Sequence, residues 1–194
     1  MTPKQKRKHH NHHQSLAGEL LIANPQNPRD ELDRAVILVV SHSPMLAIGL
    51  QINLPIRDLD LCTVAFNSHI DCDSSDPLFY GGNMDTNKIH VVHSTDWQGL
   101  TTVQLNDQIA ITNDLSVIMA ISRNDGPEHF RACAGYWIWS DGRLGKQLDP
   151  HIWEDPHTWE TVPATADLVF DDSGTEQWRR ALDQSVKNQI DSWF

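Results

Sequence analysis

Ala35-Val36-Ile37-Leu38-Val39-Val40, a polar turn from Ser41 to Met45, and then Ala47-Ile48-Gly49-Leu50-Gln51-Ile52-Asn53 form the stretch on which the fold turns. Six consecutive apolar residues rich in Val and Ile, bounded by polar ones and too short for a solitary helix, predict a strand buried on both faces. The second segment alternates. Ile48, Leu50 and Ile52 fall on one side and Gly49, Gln51 and Asn53 on the other, which predicts a half-buried partner strand. Together they make a hairpin around which a core can close.

Outward from this hairpin, Leu16 to Ala23 predicts a preceding strand ended by Asn24-Pro25, and Arg29 to Arg34 a charged turn. On the other side Pro55 should break the chain, with one helical turn over Ile56 to Leu61 and a surface loop from Asn67 to Pro77. Leu78-Phe79-Tyr80-Gly81-Gly82-Asn83 reads as an aromatic strand running into a glycine pair, where a tight turn or a close approach of backbone or ligand is allowed. Lys88 to Ser94 predicts a strand, Thr101–Leu105 with Ile109–Thr112 a hairpin, and Leu115 to Ser122 a buried helix capped by Asn113 or Asp114. Phe130 to Trp139 carries apolar residues at both alternations, so it should be an inner strand, with Tyr136 on one face and Cys133, Gly135, Trp137 and Trp139 on the other. A helix starts near Gly142, a Trp-bearing connection runs from His151 to Pro163, and Asp167 to Phe170 is a short apolar element. A last helix from Thr175 places Trp178, Leu182, Val186 and Ile190 along one face.

Composition narrows the function classes. The 194 residues carry 26 acidic and 15 basic side chains, a formal charge of −11, and four of the basic residues sit in the first eight positions. Such a field repels phosphate backbones, so nucleic acid is disfavoured as a partner of the folded part. The longest apolar run falls far short of the roughly 18 residues that span a bilayer, so no membrane partner is expected. Residues 1–14, basic and His-rich, predict a disordered tail, and 15–194 a single domain. Cys62, Cys72 and Cys133 show no C-x-x-C spacing, which suits reduced thiols and a cytoplasmic location.

The order of several blocks carries a resemblance. Gly18 to Pro25, Arg34 to Leu38, Gly49 to Pro55, Phe79-Tyr80-Gly81-Gly82, Ile89 to His93, Ile111 to Asp114, Gly135-Tyr136 with Trp139, Gly142 and Leu144, and then Trp159–Pro163, Asp167–Phe170 and Trp178–Leu182 together resemble the YqgE/AlgH family of bacterial proteins over about residues 15 to 185. Asn83 and Met84 replace the proline and valine usual after the glycine pair, and Arg143 and Gly145 replace a glutamine and glutamate, marking a divergent member. The resemblance implies an α+β fold in which a branched, mostly antiparallel sheet curls into a pseudo-barrel with flanking helices. That agrees with many strands interrupted by three or four helices, without a regular βαβ repeat. A label of transcriptional regulator attached to the family finds no DNA-binding motif in this sequence.

Chemistry is sparse. His90 and His93, three apart on a strand, point to opposite faces and cannot share a metal without a bulge. His69, Asp71, Cys72 and Asp73 sit in a loop of solvated composition, and Cys133 on an apolar strand reads as a small buried hydrophobe. There is no phosphate loop, dinucleotide fingerprint, nucleophile elbow or zincin helix. Glu154-Asp155 and Asp171-Asp172 are adjacent carboxylates, which is no sign of a paired acid and base. Of the seven tryptophans, an exposed set of Trp137, Trp139 and Trp153 would make a recognition surface. The expectation is a non-enzymatic interaction or ligand-binding protein without catalytic residues, metal or cofactor, whose partner is an unknown protein or small molecule. Asn53, Gly81, Gly82, His93 and Tyr136 would surround its pocket. The alternatives are an enzyme with a cryptic hydrolytic or redox site at His93 or Cys133, and, last, a transcriptional regulator.

Overall fold

The central apolar run is a strand because neighbours cover both of its faces. The computed structural model describes residues 15–24, 32–67, 69–72, 74–149 and 159–193. Three strands open the chain, β1 (Glu19–Ala23), β2 (Val36–His42) and β3 (Leu46–Gln51). They are successive antiparallel neighbours, with Leu20 opposite Leu38 and Leu38 opposite Leu50. The expected hairpin is therefore present. Its second strand is not half-buried, however: Gly49, Leu50 and Gln51 are all buried. The Trp139 ring lies over Gly49 on the side read as solvent-facing.

Pro55 opens a strand rather than ending one, since the first residue of a strand need not donate to the ladder. That strand is β4 (Pro55–Asp60), and the helix predicted over Ile56–Leu61 lies further on as α1 (Leu61–Asn67). Then come β5 (Pro77–Tyr80), β6 (Met84–Ser94), β7 (Val103–Gln104), β8 (Ile109–Thr112) and α2 (Leu115–Ser122). Asp114 caps α2, its carboxylate accepting the Ser116 N–H at 2.8 Å. Only one side of α2 is buried, through Val117, Ile118 and Ile121, while Leu115 and Met119 are exposed.

The chain continues through β9 (Phe130–Ser140), α3 (Arg143–Leu148), β10 (Trp159–Pro163), α4 (Ala166–Phe170) and α5 (Gly174–Asp191). The described end of the Trp-bearing connection is thus a strand, paired with β1. Along α5 the buried residues are Gln177, Trp178, Ala181 and Ser185, whereas Val186 and Ile190 are exposed. A strict interval of four advances about 40° past each full turn, so the later members of the predicted stripe walk off the packed face. Five helices, not three or four, are present among the described residues. The tail 1–14, the loop around Pro25–Pro28, Asp73 and the segment with Trp153, Glu154 and Asp155 lie outside the described residues.

Among the described residues ten strands form one curled, branched sheet, eight of them in the order β10-β1-β2-β3-β9-β6-β8-β7 and β4 and β5 off that path. The branch is at β9. Its C-terminal half pairs with β3, its N-terminal half runs parallel to β5, and β6 pairs antiparallel along most of its length. β5 in turn pairs with β4, and every pairing except β5–β9 is antiparallel. The result is an α+β fold, a half-barrel of mostly antiparallel strands with flanking helices.

Inside the curl, Leu20, Leu38, Leu50, Ile52, Val92 and Cys133 meet α4 and α5 through Leu168, Val169 and Trp178. Each such fully buried aliphatic side chain contributes about 1.5–3 kcal/mol. A second apolar layer holds Trp137, Trp139, Leu144 and Trp159, and there Gln147 Oε1 accepts both the Trp139 and the Trp159 indole N–H at 2.9 Å. α1 and α2 pack on a third layer around Val91 and Ala132. Among the described residues no helix is long and apolar enough to cross a membrane.

Candidate functional site

The glycine pair is where two strands touch through their main chains. A Cβ on Gly81 would sit 2.3 Å from the Gly135 carbonyl oxygen, and one on Gly82 would sit 2.1 Å from the Tyr136 carbonyl carbon. Gly81 N–H donates to the Ala134 carbonyl, and its own carbonyl accepts the Gln51 N–H. Opposite it, Gly135 takes a positive φ of 73°, which glycine adopts without strain. That residue also resets the alternation of β9. Cys133 and Tyr136 pack on the same inner layer, while Trp137 and Trp139 pack on the second. The single alternation predicted for Phe130–Trp139 therefore holds only in two halves.

Of the five predicted pocket residues, the structure brings Gly81, Gly82 and Tyr136 together at this crossing. The Tyr136 hydroxyl donates to Asp85, and its ring meets His90 edge-on at 5.8 Å. Asn53 lies just beyond β3, nearly fully buried. Its Oδ1 accepts the Val36 N–H at 3.0 Å, and its Nδ2 donates to the Arg34 and Gly174 carbonyls at 2.8 and 3.1 Å. It ties the start of β2 to the start of α5.

His93 stands apart, fully buried on β6 beside β8. Its Nδ1 is 2.7 Å from the Ser94 carbonyl and its Nε2 is 3.0 Å from the Thr112 hydroxyl. The carbonyl can only accept, which assigns the proton to Nδ1. Thr112 then donates to Nε2, Thr102 to Thr112 at 2.6 Å, and the Gly99 N–H to Thr102 at 2.8 Å. With the ring neutral, every link has one direction. Burial pulls its pKa below 6.5. His90 has an unpartnered buried Nε2, and among the described residues no three His, Cys, Asp or Glu side chains gather as metal ligands. Cys133 is fully buried, and desolvation pushes its thiol up to about 12. Trp137 and Trp139 are buried, not a surface patch.

The concave feature with the most chemistry lies at the other end of β9. A cleft of about 510 Å³ is lined by Phe79, Phe130 and Phe170, by Arg131, and by the carboxylates of Asp76, Asp171, Asp172 and Glu176. Arg131 forms its floor and is 5% exposed. It donates from Nη1 to the Ile52 carbonyl and to Gln177 Oε1 at 2.8 Å, and from Nη2 to the Phe170 carbonyl at 3.1 Å and the Asp172 carbonyl. Its guanidinium also lies 4.7 Å from the Phe79 ring centre. Desolvation lowers its pKa to about 10, which leaves it charged at neutral pH. Gln177 in turn donates to the Leu168 and Val169 carbonyls, so one buried pair binds β9, α4, α5 and the residue that follows β3 together.

None of the five predicted pocket residues lines this cleft. Asn53 supports it at one remove, through its neighbour Ile52 and through Gly174 beside Ser173. The sequence signal for Arg131 is a lone cation inside the apolar run Phe130-Arg131-Ala132-Cys133, the setting in which a buried charge must have partners.

A branched, curled sheet closed by glycine contacts, with a buried-arginine cleft beside it, defines an α+β half-barrel class of protein. The chain belongs to the AlgH-like family (DUF179), whose profile matches residues 20–188. A UPF0301 protein of Methylococcus capsulatus is 31% identical over 172 residues, covering 88% of this chain and 91% of that protein. One from a Bradyrhizobium species is 26% identical, covering 90% and 83%. Among solved structures, the solution structure of the AlgH protein from Pseudomonas aeruginosa superposes with a TM-score of 0.74 at 24% identity, covering 94% of this chain and 93% of that one. A crystal structure from Corynebacterium diphtheriae gives 0.69 at 18% identity, with coverages of 86% and 85%.

Proposed function

We propose that the chain is a non-enzymatic, cytoplasmic interaction or ligand-binding protein, and that the cleft over Arg131 is its contact surface. The observation that carries this reading is the hydrogen-bond inventory of the cleft. The Nη donors of Arg131 are already held by three carbonyls and Gln177, so what the cleft offers is aromatic wall and the carboxylate oxygens left over once Asp171 and Asp172 have met Arg180, Glu176 has met Arg179 and Asp76 has met the Ser74 hydroxyl, and these only accept. Such a surface selects an occupant with an apolar body and hydrogen-bond donors. The hydrolytic or redox alternative rests on His93 and Cys133, and the one-way hydrogen-bond chain of the first and the full burial of the second weigh against it. The net charge of −11 weighs against the DNA-binding alternative.

The test is recovery of partners from native cytoplasm by the immobilised full chain, compared with Asp76→Lys and Glu176→Lys. Both side chains are exposed, so the variants should keep wild-type stability to within about 0.5 kcal/mol. Partners retained by the wild type and lost from both variants support the cleft. Recovery that is the same for all three chains removes it as the contact surface.

A further inference from the structure

Cys62 and Cys72 are ten positions apart in the chain, and the fold lays the residues around Cys72 back on the helix that carries Cys62. α1 begins at Leu61, and the loop that follows it folds back over the same helix. The Ile70 N–H donates to the Ala65 carbonyl at 2.8 Å, and the Leu61 N–H to the Asp76 carbonyl at 2.9 Å. Between these two ties the Cys62 thiol donates to the Ser74 carbonyl at 2.8 Å. Cys72 therefore sits in a short span fastened to α1 on both sides, packed against the layer that holds Leu61 and Ala65. Cys72 lies near enough to Cys62 to help raise the pKa of its thiol. Both residues are partly accessible, unlike Cys133.

We propose that Cys62 and Cys72 form a reversible intramolecular disulfide, a redox site that ties Cys72 to α1. The Cys62 thiol already reaches the main chain two residues past Cys72, and backbone contacts on both sides hold the loop in reach. The oxidant is a low-molecular-weight disulfide. The Cys72 thiolate attacks one of its sulfurs and forms a mixed disulfide, releasing one small thiolate. Cys62, having lost its proton, then attacks the Cys72 sulfur. The protein disulfide forms, the second small thiolate leaves, and two electrons have passed from the protein to the oxidant. Burial and the neighbouring Cys72 push the Cys62 thiol up to about 11, so this second step quickens as pH rises. The same loop ends at Asp76 and Pro77, which line the cleft. The redox site does not depend on what the cleft binds.

The experiment treats the full chain with oxidised glutathione, maps the peptides by mass spectrometry without reduction, and counts thiols after unfolding. The expected result is a Cys62–Cys72 cross-linked peptide, a fall from three titratable thiols to one with Cys133 unmodified, and full return on reduction. Cys62→Ser should instead stop at a stable glutathione adduct on Cys72, which separates a resolving role for Cys62 from mere reactivity. Hydrogen exchange at the Ile70 amide should slow in the oxidised chain. Separate glutathione adducts on the two residues of the wild type, a cross-link to Cys133, or three thiols left free would each overturn the proposal.

Discussion

The two ends of β9 solve opposite packing problems. At Ala134–Tyr136 the strand presses its main chain against Gly81 and Gly82, with no side chain between. At Phe130–Arg131 it leaves an open cleft and fills the space beneath with a charged side chain. The first end is held by shape and tolerates no added atom. The second is held by hydrogen bonds from one guanidinium, and losing them strands several acceptors at once. Conspicuous glycines thus mark a closed junction, whereas the accessible chemistry sits on residues that carry no motif.

The sharpest way to break this contrast is Gly82→Ala. The new methyl carbon would lie within 2.5 Å of the Tyr136 carbonyl and the Trp137 nitrogen, both of them main chain, so the junction must open. A loss on the order of 4 kcal/mol is expected in urea denaturation, at the upper end of single-residue effects. A loss below about 1 kcal/mol would mean that the crossing is not closed. Gly145→Ala is the matched control, because nothing lies near its added carbon and the residue is in a helix. It should stabilise by a fraction of a kcal/mol, up to about 1.

At the cleft end, Arg131→Met keeps the length of the side chain and removes its charge. The carbonyls of Ile52, Phe170 and Asp172 and the oxygen of Gln177 then lose their donors. Unmaking such buried bonds costs about 3 kcal/mol in all, less than the steric opening at Gly82 because Met still packs on Phe79. Equilibrium unfolding checks the size. Faster proteolysis at α4 and the start of α5 checks the place, since those are the segments Arg131 holds.

How far the sequence reaches follows from the same contrast. The hairpin of β2 and β3, the inner position of β9 and the α+β class were legible because apolar runs and alternation report burial directly. The second covered face of β3 was not legible, since the cover is Trp139, distant in sequence. The glycine pair could be seen as a place of close approach, but not what approaches it. Asn53 and His93 stand out as polar residues among apolar ones, and the structure shows why they are tolerated there: each has all its bonds made internally. The cleft was missed because it gathers Asp76, Arg131, Phe170 and Glu176 from across the chain, and no spacing encodes that assembly.

Asn53 sharpens the account of the cleft wall. Asn53→Ala removes an acceptor from Val36 and a donor from Arg34 and Gly174, but the main-chain bond from Gly174 N–H to the residue 53 carbonyl survives at 2.7 Å. A loss of about 2 kcal/mol is expected, smaller than at Arg131 because no charge is left unbalanced. Asn53→Asp should do comparably badly, as its carboxylate keeps the Val36 bond but faces two carbonyls it cannot donate to. If Asp restored wild-type stability, the role given to Nδ2 would be wrong.

The smallest effect concerns His93, which pairs with Phe130 at the cleft end of β9 yet is sealed from solvent. Burial holds its pKa below the ordinary 6.5, and burial does the same for His42 and, with Lys88 beside it, for His90. Between the folded and unfolded values the native chain binds fewer protons than the unfolded one. Stability is therefore complete above about pH 6.5 and declines as pH falls through the window just beneath it. Protonation would place a second donor on the ring where Thr112 already donates, reversing one link of a chain that runs from Gly99 to Ser94. His93→Gln should flatten part of the decline in unfolding free energy between about pH 7.5 and about pH 5.5, while Arg131→Met should shift the whole curve down without changing its slope. An unchanged slope in His93→Gln would assign the acid sensitivity to His42 and His90, and would remove His93 from the set of groups that feel the solvent's pH.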